Sequence, residues 1–178
     1  MTKAFPPALF PMNQEKDSAE VLEYRKPIPD DCRMVYDWIC DPLTRANSYG
    51  PPPENYAAHE TWFMNRIAQG TGLYLVFFAK NANHDPIGQV RVDVKVEGLV
   101  VGILTAPAHR GKGYASEMLR MLADLHHQGQ FGNQPLRAWI MDRNMPSRKA
   151  FEAAGFRYHS SSVPEGIPSG LYLLKEEK

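Results

Sequence analysis

Residues 99–115 read Leu-Val-Val-Gly-Ile-Leu-Thr-Ala-Pro-Ala-His-Arg-Gly-Lys-Gly-Tyr-Ala, and this stretch constrains the chain more than any other. An apolar strand, Leu99 to Thr105, leaves through a proline-marked exit and enters a glycine-rich turn. The turn opens a helix whose apolar residues, Ala115, Met118, Leu119, Leu122 and Leu125, recur at helical spacing until Gly129 stops it. A strand feeding straight into an amphipathic helix belongs to a layered α/β fold. The first turn of such a helix carries N–H groups without intrahelical acceptors, at the positive end of a dipole worth about half a charge. Gly111 and Gly113 let backbone approach a ligand closely, while Arg110 and Lys112 add positive charge. An anion is the expected occupant. Two common phosphate motifs do not fit. A P-loop needs Gly-Lys-Ser/Thr, but Gly113 follows Lys112; a dinucleotide fingerprint needs a third glycine where Ser116 stands.

The rest of the chain supplies the layers. Val21 to Lys26 reads as a first strand, and Pro29-Asp30-Asp31 opens a helix with Val35, Trp38 and Ile39 on its apolar side, ended by Asp41-Pro42. Tyr49 to Pro53 is a loop. A second helix runs from Tyr56 to Gln69, with His59, Trp62, Phe63, Arg66 and Ile67 on one side. Leu73 to Ala79 is an apolar strand followed by a polar turn, Asn81 to Pro86. Then Val90, Val92, Val94 and Val96 alternate with Arg91, Asp93, Lys95 and Glu97, which predicts one core face and one polar face, and Glu97-Gly98 turns into the strand at Leu99. Leu136 to Met141 reads as a strand and Pro146 to Ala154 as a helix stopped by Gly155. Phe156 to Ser161 and Gly170 to Leu174 read as closing strands. The order is β-α-α-β-β-β-α-β-α-β-β, an α/β single domain over residues 20–178 on a mostly antiparallel mixed sheet flanked by helices. Residues 1–19, mixing prolines and charges without a period, are expected to form a flexible N-terminal extension.

Composition narrows the function. A chain of 178 residues suits one domain, and 20 Lys and Arg balance 20 Asp and Glu, which argues against binding nucleic acid through global charge. The two cysteines, Cys32 and Cys40, would stand about 12 Å apart on one helix, too far for a disulfide. No CxxC pair, HExxH motif or clustered histidines suggest a metal. The first residues lack a signal-peptide core and no apolar run reaches the roughly 20 residues of a membrane span, so a cytoplasmic protein without membrane association is expected.

The turn fits Arg-x-x-Gly-x-Ala, filled by Arg110, Gly113 and Ala115, and so resembles the acetyl-CoA motif of the GNAT superfamily of N-acetyltransferases. A second match lies one strand later: Asn144-x-x-Ser147-x-x-x-Phe151-x-x-x-Gly155-Phe156 resembles the later signature of that family. Together they cover about Val21 to Leu174. The resemblance implies acetyl-CoA as co-substrate, its pyrophosphate on the amides of Arg110, Gly111, Lys112, Gly113, Tyr114 and Ala115. It implies that the pantetheine arm lies in a gap beside Leu104, Thr105 and Ala106, with Asn144 holding it from the other side. Asn144 is equally suited to cap a helix.

Acetyl transfer to an amine needs a neutral amine, a polarised carbonyl and a proton for the departing thiolate. Many relatives place a tyrosine four residues after the serine to give that proton; here Phe151 stands there. Ser147, Tyr158 or water remain as donors, and Asp93 or Glu97 on the polar strand face as bases, Asp93 and Ser147 being the pair expected to act. The residues Trp38-x-x-Asp41-Pro42-x-x-Arg45-x-x-Ser48, His59-x-x-Trp62-Phe63 and Gly88-Gln89-Val90-Arg91-Val92-Asp93 look like the subgroup acting on nucleotide-linked amino sugars. That likeness implies Arg45, His59 and Arg91 as acceptor-binding residues and a small-molecule amine as partner. A peptide or protein N-terminus as acceptor, a catalytically silent CoA-binding module, and association into a homodimer stay open.

Overall fold

The computed structural model describes residues 22–132 and 134–174; the expected N-terminal extension lies outside them. Its strands are β1 (Leu22–Arg25), β2 (Leu73–Ala79), β3 (Pro86–Lys95), β4 (Gly98–Thr105), β5 (Leu136–Met141), β6 (Phe156–Ser162) and β7 (Ser169–Leu174). The helices are α1 (Cys32–Cys40), α2 (Pro42–Ala46), α3 (Tyr56–Gln69), α4 (Tyr114–His127) and α5 (Met145–Ala153). The strands form one seven-stranded sheet in the order β1-β2-β3-β4-β5-β7-β6, antiparallel throughout except for β4 beside β5. This is the α/β layered fold that the sequence predicts, with one helix added.

The added helix is α2. Asp41-Pro42 does stop α1, but it also restarts the chain: Pro42 takes the first helical position and the Asp41 carboxylate accepts the Thr44 N–H at 2.9 Å. The bounds of α3 follow from local chemistry in the same way. Asn55 accepts the Ala58 N–H at its start, and Gly70 closes it in the left-handed conformation, φ 59°.

Two cores sit on opposite faces of the sheet. On one face α4 and α5 bury Met118, Leu119, Leu122 and Phe151 against Leu75, Phe77, Val90, Val92 and Leu136. On the other, α1 and α3 bury Val35, Trp38 and Phe63 against Tyr74 and Ala106. The second core corrects the reading of β3. Its polar face is covered by helices, and its valine face leaves the core early: Val94 is 47% exposed and Val96 fully so. The reason is register. Strand β2 ends opposite Val92, so residues beyond it have no β2 neighbour on that side. Both cysteines are on α1 and both are free, Cys32 buried and Cys40 exposed. Among the described residues no helix is long and apolar enough to cross a membrane.

The pairing of β4 with β5 positions everything that follows. Only Leu99 and Val100 are in register with Leu136 and Arg137; beyond them the two parallel strands separate. On its other side β4 stays paired with β3 as far as Thr105 opposite Gly88. A side chain at Gly88 would collide with the Leu104 carbonyl oxygen and stand 3.1 Å from the Thr105 Cα. Gly88→Ala is therefore expected to destabilise the fold by at least about 2 kcal/mol, because a backbone atom cannot swing aside. A urea midpoint unchanged from the wild type would show that β3 and β4 are not held so closely.

Candidate active site

The edge that β4 turns toward the gap is set by the alternation of an antiparallel ladder. Ala106 donates its N–H to the Ile87 carbonyl at 2.8 Å, so Ala106 and Leu104 direct their backbone groups to β3. Ile103 and Thr105 consequently direct theirs to the open side. Of the three residues expected along the gap, Thr105 alone presents N–H and C=O there, and Ile103 is the second such residue. Ala106 is instead 3% exposed beneath α1 and α3, and Leu104 packs on the same core.

After β4 the chain makes a short helical turn at Pro107–His109 and passes through Arg110 to Gly113. Gly111 and Gly113 adopt φ of 74° and 85°, a conformation costly for residues with a Cβ. A Cβ at either would meet nothing within 4 Å, so it is the positive φ and not crowding that calls for glycine here. Ser116 and Glu117 already donate to the Gly113 carbonyl, which starts α4. The N–H groups of Gly111, Lys112, Gly113, Tyr114 and Ala115 find no acceptor among the described residues. They form a row of free donors at the head of a 14-residue helix. Lys112 reaches back to the Ala108 carbonyl, and the Tyr114 ring stands edge-on to His109 at 6.0 Å.

Arg110 departs from expectation. Its guanidinium does not point along the phosphate row but across to the first helices, donating to Asp41 Oδ1 at 2.5 Å and Thr44 Oγ1 at 2.7 Å. The same Asp41 oxygen caps α2. The hydrogen bond from Arg110, helped by the Thr44 N–H, holds the Asp41 carboxyl below the usual aspartate range. Arg110 offers a ligand only its backbone; its side chain ties the turn to α2.

Four residues downstream of that tie lies Arg45, on the wall of a cleft of about 260 Å³. Ile39, Arg45, Pro51, Pro52, Pro53, Ala58, His59, Trp62 and Arg91 line it. The loop that forms its rim is pinned at several points. Arg45 donates to the Gly50 carbonyl, Gly50 N–H to Glu165 at 2.7 Å, and the Tyr49 hydroxyl meets Ser169 Oγ at 2.8 Å. Prolines suit this rim, since they carry no N–H to leave unsatisfied. Arg91 lies over the half-exposed Trp62 ring, 5.2 Å from its centroid, and opposite Gly102 on β4, where a Cβ would be in ordinary contact with the guanidinium at 3.7 Å. Gly102 is two residues past the last β5-paired residue, so the cleft opens where the gap begins.

His59 is 3% exposed, stacked among Tyr36, Trp62 and Phe63, and its Nε2 has no hydrogen-bond partner. Burial, reinforced by the charge of Arg91 and opposed by a hydrogen bond with the Cys32 backbone, lowers its pKa, which favours the neutral imidazole. Asp93, expected as a base, is not part of the cleft. Its carboxylate is paired with Arg66 at 2.7 Å and braces α3 against β3. Phe63, read in the sequence on the same helix side as His59 and Trp62, is wholly buried in the core behind them. At the far side of the gap, Asn144 caps α5 by accepting the Ser147 N–H at 3.2 Å. The Ser147 hydroxyl is half-buried and makes no hydrogen bond among the described residues. Phe151 is 2% exposed and edge-on to Phe156, so no hydroxyl is presented from that position. No group of His, Cys, Asp and Glu among the described residues is arranged to hold a metal ion.

A family described as the acetyltransferase (GNAT) domain matches residues 22–157. The chain belongs to the GNAT acetyltransferase family. The match runs from β1 into β6 and so includes both the turn at 110–115 and the cleft. Among solved structures, this GNAT domain is similar to a spermidine N-acetyltransferase from Vibrio cholerae in complex with CoA and spermine. The two are 19% identical with a TM-score of 0.72, over 86% of this chain and 93% of that one. It is also similar to AAC(6')-Ib in complex with paromomycin and acetyl-CoA, at 17% identity and a TM-score of 0.70, over 85% and 92% of the two chains. At such identities the likeness is one of fold. No curated protein matches the sequence.

The Arg110–Asp41 tie has a measurable signature. Because the Asp41 pKa is depressed in the folded state, its stabilisation is present above the unfolded aspartate value of about 3.9 and is lost as pH falls through the lower folded value. Asp41→Asn should therefore lower Tm near neutral pH, and the gap to wild type should shrink as the pH drops below about 4. A gap that is constant across that range would remove the ion pair as its cause.

Proposed function

We propose that this GNAT domain moves an acetyl group from acetyl-CoA to the primary amine of a small molecule. The observation that carries the reading is the row of unpartnered N–H groups from Gly111 to Ala115, set at the end of a strand whose edge is free beyond Val100. A pyrophosphate suits the row, since its donors have no acceptor among the described residues and stand at the positive end of α4. An extended amide-bearing arm suits the strand edge, where Ile103 and Thr105 would pair with it as a neighbouring strand would. Asn144 and Ser147 stand across the gap at the start of α5.

Acetyl-CoA supplies a thioester carbonyl. A C–N bond forms and the C–S bond breaks; the amine gives up a proton and the thiolate takes one. Ser147 is the hydroxyl to which this reading assigns that proton, directly or through water, and a thiolate of pKa about 8.5 asks little of its donor. The 260 Å³ cleft supports a small acceptor over a peptide, because its proline rim is closed by the contacts of Tyr49 and Gly50 with β7 and the loop before it. Trp62 offers a wall for a ring to stack on. That wall favours, within the class of small amines, the nucleotide-linked amino sugars on which the subgroup that these segments resemble acts.

Two variants test the reading. Saturating acetyl-CoA should stabilise the wild type by about 2.7 kcal/mol at a hundredfold excess over Kd, and Gly113→Asp should remove that shift by placing bulk and negative charge in the row. A folded variant, judged by circular dichroism, that keeps the full shift would dislodge the phosphate assignment. Ser147→Ala should lower kcat at least about threefold with KM for acetyl-CoA little changed. Wild-type turnover in that variant, with chemistry rate-limiting, would pass the proton to another donor.

A further inference from the structure

Two arginines line the cleft, and neither is in an ion pair among the described residues. Arg91 makes neither an ion pair nor a hydrogen bond among the described residues; the Trp62 ring and the space over Gly102 alone hold its guanidinium in place. Arg45 gives one hydrogen bond to the Gly50 carbonyl and has no carboxylate partner among the described residues. Among the described residues no acidic side chain lines the cleft. Asp93 is paired with Arg66 at 2.7 Å and Asp41 with Arg110 at 2.5 Å, while Glu165, at the rim, accepts the Gly50 N–H. Arginine sites without carboxylates, presenting planar donors into a cleft, are the usual means of gripping phosphate or carboxylate. The arrangement is also supported from behind, since α2 carries Arg45 and is fixed by Asp41, while Trp62 fixes Arg91.

We infer that Arg45 and Arg91 form an anion-binding subsite for the acceptor, so that the preferred substrate is an amine borne on an anionic body and polycationic amines are refused. The inference rests on the acetyl-transfer reading for its amine, and on the cleft alone for its anion. It sets this protein apart from the neighbours whose structures hold spermine or an aminoglycoside, since both ligands are polycations at neutral pH. Two guanidinium groups and no carboxylate would repel them, whereas a phosphoryl or carboxylate group would be held at one end of the cleft with the amine directed toward the gap at Gly102. The shared chemistry is a compact anion of charge two or more; an organic phosphate and a dicarboxylate both meet it.

The experiment separates the two anion sources and the two readings. Wild-type protein is first saturated with CoA, which fills the row at Gly111–Ala115 and leaves the cleft as the remaining anion site. Inorganic pyrophosphate and malonate are then titrated by calorimetry. Pyrophosphate, malonate or both should bind, which assigns the anion as phosphate, carboxylate or either, and Arg91→Ala should weaken that binding at least about tenfold. Arg45→Ala, on a separate helix, should do the same if the Arg91 variant fails to fold. Equal binding in the wild type and both variants, or no binding of either anion, overturns the subsite. In turnover, followed as thiol release, an amine carrying a phosphate should have a KM at least about tenfold below that of its uncharged counterpart, with kcat similar, and Arg91→Ala should erase the difference. Spermidine acetylated as efficiently as the phosphorylated amine would likewise sink the inference, leaving acetyl transfer standing. If pyrophosphate binds through Arg91 but no amine releases thiol, acetyl transfer falls and the anion site remains.

Discussion

One guanidinium joins the two halves of the site. Arg110 belongs by sequence to the phosphate turn, yet its charge is directed to Asp41 and Thr44 at the junction of α1 and α2. Asp41 in turn caps the helix that carries Arg45, and α2 runs into the loop that rims the cleft. The tie is partly shielded, with 28% and 20% of the two side chains exposed, so it is screened less than a surface pair. α2 is a five-residue helix, too short to persist by its own propensity, and the tie fixes the aspartate that caps its first turn. The geometry of the cleft wall therefore depends on a residue of the glycine-rich turn.

The second dependence is on a failure of pairing. Had β5 stayed in register with β4, the N–H and C=O groups of Ile103 and Thr105 would be satisfied by β5 and no edge would be open. The strands separate after Val100, and the freed edge lies between the two cores, with backbone groups that need partners. Gly102 sits at that point. Arg91 lies opposite it on β3, its guanidinium 3.7 Å from where a Cβ would stand, so the point at which the gap opens is also the head of the cleft. Gly88, opposite Thr105, keeps β3 close to β4 while β5 moves away.

What the sequence reveals of this divides by the range of the interaction. Strands β2 and β5 and helix α3 are legible to the residue because caps and apolar runs are local: Asn55 and Gly70 bound α3 whatever it packs against. The phosphate turn is legible for the same reason, since its geometry follows from Gly111 and Gly113. The partners of Arg110 and Asp93 are not legible. Arg110 reaches across 69 residues to Asp41, and Asp93 meets an arginine on a helix read in the sequence only as amphipathic. The outward turn of Val94 and Val96 escapes the alternating pattern because it depends on where a neighbouring strand ends. Gly102 did leave a signal, as an isolated glycine within an apolar strand marks close approach of another group. The identity of that group, Arg91, appears only once β3 and β4 are in register.

Phe151 shows why a missing acid need not mean a missing activity. Its ring is held edge-on to Phe156 at 4.9 Å, inside the core that also receives Ala150 and Ala154. An aromatic pair of this geometry contributes about 0.5–1.5 kcal/mol beyond its buried area, so the position serves packing whether or not a hydroxyl is attached. The chemistry asks for a proton at sulfur only as the C–S bond breaks, and a thiolate is stable enough in water near neutral pH to leave without a strong donor. The amine is the harder partner, since an ordinary primary amine is protonated at neutral pH and must lose that proton before it can attack. The cleft bears on that requirement through its charge. Two arginines and no carboxylate raise the local potential, which favours the neutral form of a nearby amine in the way that a neighbouring cation lowers a lysine pKa. An anionic group held by the same arginines would offset that potential, so the two effects of the charge oppose each other, and Asp93, paired with Arg66, is badly placed to act as the base.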